Sequence, residues 1–360
     1  MMLLSDHWYQ PVGETDSGLM VGGTPLPDGS AVYGAGVGSV SAQTLRAVER
    51  DYRLLVRDNY PPQLAGLMLI ASGRPAAMRG YFPLLRALGA AEQDRFEARA
   101  VEASQRLDLR LFDRGRWSGV SEVDLPADAA YLVAGQIVEL FFFRDDILEQ
   151  LLAARTRIWL YVDWEAYRFH GGVGGGCYSP QIGAVQLVLS RLYEGFNGPM
   201  PGVAPLLHEL GHLLDCFDPQ RGRQGQPTGL YPGLRPTDGA MFTPAARAAF
   251  LRGKRIEQER YLRRCAGASN DEPLPLGHPY VFQNDGEFLA GYLELFFRSP
   301  HALARDNPAL FAGYTTLFGQ DPRRVWAEDF DFYLRENRRF YLESGEQPWP
   351  CGLTLPEDAY

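Results

Sequence analysis

The sequence predicts a mainly helical α+β fold with a small sheet. Long segments carry apolar residues at helical spacing, whereas two short segments have the β-branched and aromatic composition of strands. The chain has 360 residues, of which 46% are hydrophobic and 22% charged, so it can build a large core and is not mostly disordered. Its length fits one large domain or two smaller ones.

The first 155 residues are expected to be mainly helical, after a Gly- and Pro-rich opening over residues 1–40. Ser41 is expected to cap a helix that carries apolar residues up to Leu55. Proline is favoured in the first turn of a helix, where no N–H donor is needed. Three further helices are expected, at 90–107, from Pro126 to 143 and at 145–154.

The pattern changes after this helical part. The segments TRIWLYV at 156–162 and AVQLVLS at 184–190 are typical of strands, and the Gly-rich loop HGGVGGGCYS at 170–179 lies between them. The strand at 184–190 could lie at the edge of the sheet, where it could pair with an extended substrate, or in its interior. Helices are expected again from 206, at 243–264, 286–298, 308–318 and 323–343.

Composition also limits the partners and the compartment. The net charge of -9 argues against nucleic acid and against an anionic membrane face. The N-terminus lacks the basic start of a secretory signal, and the longest apolar stretch, 131–143, is too short to span a membrane. We therefore expect a soluble, cytoplasmic protein. The cysteines form no CxxC pair and are expected to be reduced thiols: Cys177, Cys216, Cys265 and Cys351.

The motif HELGH at 208–212 carries the chemistry of the chain. On a helix, His208 and His212 are one turn apart and project from the same face, so both imidazoles can bind one Zn²⁺ ion. Glu209 points beside the metal, where it can take a proton from a water that the zinc acidifies and pass it to a leaving amine.

A chance occurrence of this motif is disfavoured by its surroundings. Leucines flank it on both sides, which indicates a buried helix, and burying two imidazoles and a carboxylate without a metal or partners would be costly. The motif uses two of only six histidines. Of the others, His170 and His278 are expected to be ordinary loop residues, and Cys216 a packed thiol.

A catalytic zinc usually has a third protein ligand, and two candidates remain open. Asp218 follows His212 by six residues, the position used by enzymes with the HExxHxxGxxH/D pattern, but Asp215 stands where that pattern needs a glycine. Glu287 opens an apolar helix and would point into the protein, unless it is only an acidic first-turn residue favoured by the helix dipole.

The motifs resemble those of a known family. HELGHLLD at 208–215, Tyr280 and EFLAGYLELFF at 287–297 resemble the Mlc titration factor A family of zinc metallopeptidases, which is similar in its catalytic region to the catalytic domain of anthrax lethal factor. The segment 299–322 resembles the closing helix of the family and its QDP end. The resemblance extends from about residue 88 to 322.

The resemblance implies a zincin-like core with a small sheet beside the HExxH helix and one Zn²⁺ held by His208, His212 and Glu287. It implies Glu209 as the general base and Tyr280 as the hydroxyl that stabilises the oxyanion.

The resemblance also suggests roles for two further acidic residues, and the chain differs from the family at two points. Asp215 is expected to orient a ligand histidine or to tie down the helix, and Glu294 to lie behind the ligands or in a buried pair. The linker between His212 and Glu287 is longer than in the bacterial regulators. Gly291 stands where lethal factor has a glutamate.

These inferences predict the domains and the function. Residues 1–80 are expected to form an N-terminal extension, 81–322 a zincin-like metallopeptidase domain, and 323–360 a C-terminal helix and tail packed on it. The predicted function is zinc-dependent hydrolysis of a peptide or protein substrate. The alternative is a regulatory protein of the same fold that mainly captures a protein partner, because bacterial members of the resembled family are linked to binding a transcriptional repressor.

Overall fold

The computed structural model describes residues 82–114, 119–125, 127–172, 174–189, 191–192, 204–344 and 349–356, and three short strands nearer the N-terminus. The predicted helix after Ser41 and most of the predicted extension 1–80 lie outside the described residues. No helix in the described part of the chain is both long and apolar enough to cross a lipid bilayer.

The strands form three sheets. The strands are β1 Thr24–Pro25, β2 Ala31–Tyr33, β3 Gly38–Val40, β4 Asp108–Arg114, β5 Val120–Val123, β6 Arg157–Tyr161, β7 Gly176–Ser179, β8 Ala184–Val188, β9 Phe217–Asp218 and β10 Arg223–Gln224. The main sheet has the order β5-β4-β6-β8-β7, with β4, β6 and β8 parallel and both outer strands antiparallel to their neighbours. Strands β1–β3 and β9–β10 form small antiparallel sheets.

Helices make up most of the rest of the described chain. The α-helices are α1 Pro83–Ala87, α2 Ala90–Arg106, α3 Ala127–Phe141, α4 Asp145–Ala153, α5 Trp164–Phe169, α6 Pro205–Cys216, α7 Pro244–Cys265, α8 Asp285–Arg298, α9 Pro300–Asp306, α10 Pro308–Phe318 and α11 Phe332–Glu343. Short 3-10 helices occur at Pro236–Met241, Pro279–Phe282 and Pro322–Arg324. The predicted mainly helical α+β class is confirmed.

One pair of strands was not predicted, and one predicted helix was wrong in its bounds. Strands β4 and β5 follow α2 within the part of the chain that was expected to be mainly helical. Strand β4 reads DLRLFDR, and its charged residues obscure the strand pattern, although Leu111 is buried and Phe112 packs on Trp159 from β6. The predicted helix 323–343 is interrupted, since α11 begins only at Phe332.

One continuous core joins the helices to the sheet, with members from Phe82 to Leu353. Within it, α6 and α8 pack very closely. A Cβ atom added to Gly211 of α6 would lie 2.6 Å from the Cα atom of Ala290 of α8, which is closer than atoms can approach. Because position 211 has no side chain, the two helices can meet, and the histidines of α6 face the first turn of α8.

Candidate metal centre

Helix α6 presents the two histidines on one face. The helix begins at Pro205, and its other face is buried through leucines such as Leu207 and Leu210. The ring centroids of His208 and His212 are 5.0 Å apart. This spacing follows from their separation by one helical turn, and it directs both Nε2 atoms towards α8.

Helix α8 places Glu287 opposite the histidines. The side chain of Asn284 caps the helix and accepts a hydrogen bond of 2.9 Å from the backbone N–H of Glu287. Glu287 Oε2 lies 3.4 Å from His208 Nε2 and 3.5 Å from His212 Nε2. One ligand atom from each of the three residues falls within 4.8 Å of the others, so the structure brings His208, His212 and Glu287 together.

The three groups fit a divalent metal ion. Glu287 Oε2 is buried and accepts no hydrogen bond from the described residues, and such an atom is costly without a partner. Two imidazole nitrogens and one carboxylate oxygen are also the usual ligand types of catalytic zinc sites. The acceptor atoms therefore converge on a point where a cation would satisfy them.

Electrostatics favour an ionised carboxylate at this point. Burial would raise the pKa of Glu287, but the facing imidazoles of His208 and His212 outweigh it and hold this pKa well below its usual range. Burial would lower the pKa of His208, but Glu287 and Glu294 raise it well above its usual value. The same carboxylates that attract a proton to His208 would attract a metal cation.

Glu294 supports His208 from behind. Its Oε1 atom lies 2.8 Å from His208 Nδ1, and its Oε2 atom accepts a 3.4 Å hydrogen bond from the backbone N–H of Ala204. A proton on Nδ1 that is held by this carboxylate leaves Nε2 free to bind a metal. From the resemblance, Glu294 was expected to lie behind the ligands or in a buried pair. In the structure it lies behind His208.

Asp215 ties α6 to the loop that follows it. Its Oδ1 atom accepts hydrogen bonds of 2.8 and 2.6 Å from the backbone N–H groups of Thr228 and Gly229. These hydrogen bonds correspond to the second of the two roles expected for Asp215, which is to tie down the helix.

Glu209 lies beside the cluster of potential ligands, as its position on the helix predicts. It is 7% exposed, and burial raises the pKa of its carboxyl. Strand β7 passes directly over it, since a Cβ atom added to Gly176 would lie 3.2 Å from Glu209 Oε1. A buried carboxyl with a raised pKa suits a group that both accepts and returns a proton.

Tyr280 contacts the cluster of potential ligands through Glu287. Its hydroxyl donates a 2.7 Å hydrogen bond to Glu287 Oε1, and its ring meets that of Trp349 edge to face, with 5.6 Å between centroids. His278 caps the short 3-10 helix that carries Tyr280 and accepts a hydrogen bond from its backbone N–H. Burial lowers the pKa of His278 to about 4, so a structural and neutral role fits it.

The other candidates lie elsewhere. Asp218 Oδ1 accepts hydrogen bonds from the backbone N–H groups of Gln220 and Arg221, and Asp218 is outside the cluster of potential ligands. His170 bonds to the hydroxyl of Tyr161 through Nδ1. Cys216 is a buried thiol whose pKa burial raises to about 11, which fits a packed residue.

Gly291 has a steric explanation. A Cβ atom at this position would lie 2.4 Å from Cγ1 of Val281. A glutamate, as in lethal factor, would therefore not fit without displacing the segment that carries Tyr280.

Sequence reasoning missed Glu257, a fully buried carboxylate on α7. It accepts hydrogen bonds from the backbone N–H of Leu276 and from the hydroxyl of Tyr292 on α8, and that hydroxyl accepts one from the N–H of Gly277. This network holds the segment before Tyr280 against α8. The charged sequence RIEQER around Glu257 resembles an exposed face, so no local signal marked it.

Lys254, one turn before Glu257, is a second missed residue. Only 1% of it is exposed, and its Nζ atom lies 2.7 Å from Asp285 Oδ1. Asp285 also accepts a hydrogen bond from the backbone N–H of Thr354. The segment 349–356 is thereby fastened beside the start of α8.

A cleft of about 880 Å³ opens over the potential metal ligands and Glu209. Its floor carries His208, Glu209, His212 and Glu287, and its walls come from the Gly174–Gly176 segment, the loop at 227–229 and the segment that includes Gly352 and Thr354. The arrangement can hold a metal, position a water beside a carboxylate base and admit a ligand from solvent.

Comparisons with known proteins agree with this geometry. Residues 172–319 match the model of the family described as glucose-regulated metallo-peptidase M90. The chain is 26% identical over 246 residues to Mlc titration factor A of Edwardsiella ictaluri (strain 93-146), which covers 67% of this chain and 85% of that protein. A metallo-peptidase family implies a divalent metal, in keeping with the cluster of two histidines and a glutamate. The chain is therefore similar to the Mlc titration factor A-like M90 metallo-peptidases, and the match to the family model lies over residues 172–319.

Proposed function

We propose that the chain is a zinc-dependent peptidase that hydrolyses peptide bonds in the cleft above α6 and α8. The observation that carries this proposal is the convergence of His208, His212 and the unpartnered Oε2 atom of Glu287 beside the buried carboxyl of Glu209. These three residues would hold one zinc ion. When bound there, zinc would acidify a water molecule and polarise the peptide carbonyl.

Glu209 is the general base in this proposal. Its carboxylate takes a proton from the attacking water and then delivers it to the nitrogen of the leaving amine. The raised pKa of Glu209 supports this exchange, because a weaker acid holds the proton long enough to pass it on. Its burial under Gly176 fixes the carboxylate at the floor of the cleft and limits the water that can compete.

Tyr280 is the proposed oxyanion donor. In the described structure its hydroxyl donates to Glu287 Oε1, one of the two oxygens of a proposed ligand. A small rotation of the phenol would redirect the O–H towards a carbonyl oxygen in the cleft, where developing negative charge would strengthen the hydrogen bond.

Strand β7 is the proposed platform for the substrate backbone. The sequence left open whether the strand 184–190 lies at the edge, and the corresponding β8 lies between β6 and β7. At this end of the main sheet the outer strand is β7, which pairs with β8 alone. Its residues Gly176 to Tyr178 line the cleft, and in this proposal an extended peptide adds to its unpaired side as a further strand above Glu209.

The variant Glu209→Gln tests the peptidase proposal. The amide keeps the shape of the side chain but cannot accept the proton, so turnover of a mixed peptide library should fall by about 10²–10⁴-fold. The metal content of the purified protein should stay unchanged, because Glu209 is outside the proposed ligand set. Full activity of this variant would contradict the mechanism.

Capture of a protein partner is the second candidate function. The name of the relative, Mlc titration factor A, supports it, because a titration factor acts by binding. Capture of a partner by both Glu209→Gln and the metal-free protein, together with absent peptide turnover by the wild type, would favour this function. Rapid turnover without any capture would exclude it.

A further inference from the structure

A second groove, of about 590 Å³, lies at the end of the main sheet, and positive charge dominates it. Its lining contains one carboxylate, that of Asp108, and four arginines: Arg110, Arg155, Arg157 and Arg223. The chain as a whole has a net charge of -9, so this concentration of arginines is a local feature. Such a surface attracts an anionic ligand.

Two of the four arginines are already engaged. Arg110 Nε lies 2.8 Å from Asp108 Oδ1, and Arg157 donates a 2.7 Å hydrogen bond to the carbonyl of Ile182. By contrast, no carboxylate among the described residues lies within ion-pair distance of Arg155 or Arg223, and both are exposed. Their guanidinium groups are available for a ligand.

The backbone at Arg155 gives a second and independent indication. Its φ angle is 50°, and it is the only non-glycine residue with a positive φ in the described part of the chain. It follows the end of α4, where Arg155 N–H bonds to the carbonyl of Leu152 and Thr156 N–H to that of Leu151. This is the helix-ending motif in which glycine is strongly preferred at the left-handed position. Arginine at this position therefore has a conformational cost that glycine would avoid, and its side chain lines the groove.

The groove is continuous with the catalytic cleft. Pro180 lines both, and it directly follows β7, whose first residue Gly176 lies over Glu209. The four residues of β7 span roughly 13 Å at about 3.3 Å per residue. An extended peptide of a few residues can therefore reach from Glu209 to the arginines.

We propose that this groove binds an acidic segment of the polypeptide substrate, with Arg155 and Arg223 as its main anion contacts. The proposal deepens the peptidase function and rests on it for the identity of the ligand as a substrate. A polypeptide is favoured over a nucleic acid because the groove continues from a sheet edge suited to peptide pairing and because the chain around it is acidic.

Direct binding tests the groove without any need for catalysis. The probe is a fluorescein-labelled octamer of D-glutamate, which peptidases do not cleave, and its fluorescence anisotropy is followed at low salt. Arg155→Gly should weaken its binding by about two- to fivefold, which is the range of a single exposed charge pair. The double variant Arg155→Gly with Arg223→Gln should weaken it further, and Arg252→Gln, an exposed arginine that lines neither cleft nor groove, should leave it unchanged.

Arg155→Gly carries its own control for folding. Glycine suits the left-handed backbone at this position, so the midpoint of thermal unfolding should equal or exceed that of the wild type. Weaker binding by a protein of undiminished stability can be assigned to the lost guanidinium. Equal binding by the wild type and the double variant would overturn the proposal, as would tighter binding of a single-stranded octanucleotide than of the glutamate octamer.

Cleavage kinetics then separate the groove from the peptidase proposal. If a cleaved peptide receives a glutamate tail at one end or the other, one of the two tails should lower KM for the wild type but not for the double variant, with kcat unchanged. No effect of either tail would overturn the role of the groove in substrate binding. Arginine-dependent binding of the D-glutamate probe without any peptide hydrolysis would keep the groove as an anionic-peptide site and reject only the peptidase function.

Discussion

The two walls of the cleft above His208, His212 and Glu287 are built in different ways. The helix side, formed by α6 and α8, supplies side chains whose positions are fixed by burial, by the close contact of Gly211 with Ala290 and by supporting carboxylates such as Glu294. The strand side, formed by β7 and the glycines before it, lies over the cleft with backbone and half-buried residues. Metal ligands need fixed geometry, whereas an extended substrate needs free backbone groups.

This difference predicts that substitutions on the two sides have different effects. Changes on the helix side should alter metal binding or the chemical step, and changes on the strand side should act through the fit of the substrate and the position of Glu209. Pairs of similar substitutions, one on each side, can therefore show whether the two sides differ in function.

Among the paired substitutions that compare the two sides, removal of the Tyr280 hydroxyl, which bonds Glu287 of α8, should have the largest effect on the chemical step. Loss of an oxyanion donor typically costs about 10²–10³-fold in kcat. Tyr280→Phe should show a loss of that size in steady-state kinetics. At saturating zinc its metal content should stay near that of the wild type, because Glu287 and both histidines remain, while the loss of the hydroxyl that bonds Glu287 should lower the zinc affinity by at most about 10–100-fold.

Tyr178 provides the matched control on the strand side. It also lines the cleft, but its hydroxyl donates to Gln224 Oε1 at 2.9 Å rather than to a proposed ligand. Tyr178→Phe should change kcat little. Equal losses in the two phenylalanine variants would remove the special role given to Tyr280.

A smaller effect is expected from Gly176→Ala on the strand side. The added methyl would lie 2.7 Å from Leu187 Cδ1 and 3.2 Å from Glu209 Oε1, so the strand or the base must move. Because small misplacements of a catalytic group can cost up to about 10²-fold, we expect kcat to fall by roughly 10–100-fold with metal content retained.

Gly175→Ala is the neighbouring control for this effect. The three atoms nearest to a Cβ atom there all belong to Arg191, beginning with Nε at 3.3 Å. Its kcat should stay within a few-fold of the wild type. A larger loss in Gly175→Ala than in Gly176→Ala would show that strand distortion, rather than contact with Glu209, limits the reaction.

The sequence predicted the parts of the site that depend on local spacing. His208, Glu209 and His212 lie on one helix, so their relative positions follow from helical geometry alone. The choice between Asp218 and Glu287 could not be made from the residues alone, because it depends on how the chain between α6 and α8 folds. The close contact at Gly211 brings Glu287 to the histidines, and this contact is tertiary.

The features that the sequence did not predict also depend on tertiary contacts. Strand β7 reads Gly-Cys-Tyr-Ser, which has no alternation of apolar and polar residues, so its place at the sheet edge emerges only from pairing with β8. Glu257 is buried by α10 and the segment around Leu276, not by its own helix neighbours alone. Arg155 has a positive φ angle, which the sequence after α4 does not indicate.

A zinc titration of three proteins tests whether His208, His212 and Glu287 together hold one zinc ion. Competition with a chelator gives the affinity of the wild type, Glu287→Ala and Asp218→Ala. Loss of an outer partner of a ligand typically costs about 10–100-fold in affinity, so loss of the ligand itself in Glu287→Ala should cost more than about 100-fold. Asp218→Ala should bind one zinc ion as the wild type does. The opposite result, with zinc lost in Asp218→Ala and kept in Glu287→Ala, would contradict the account.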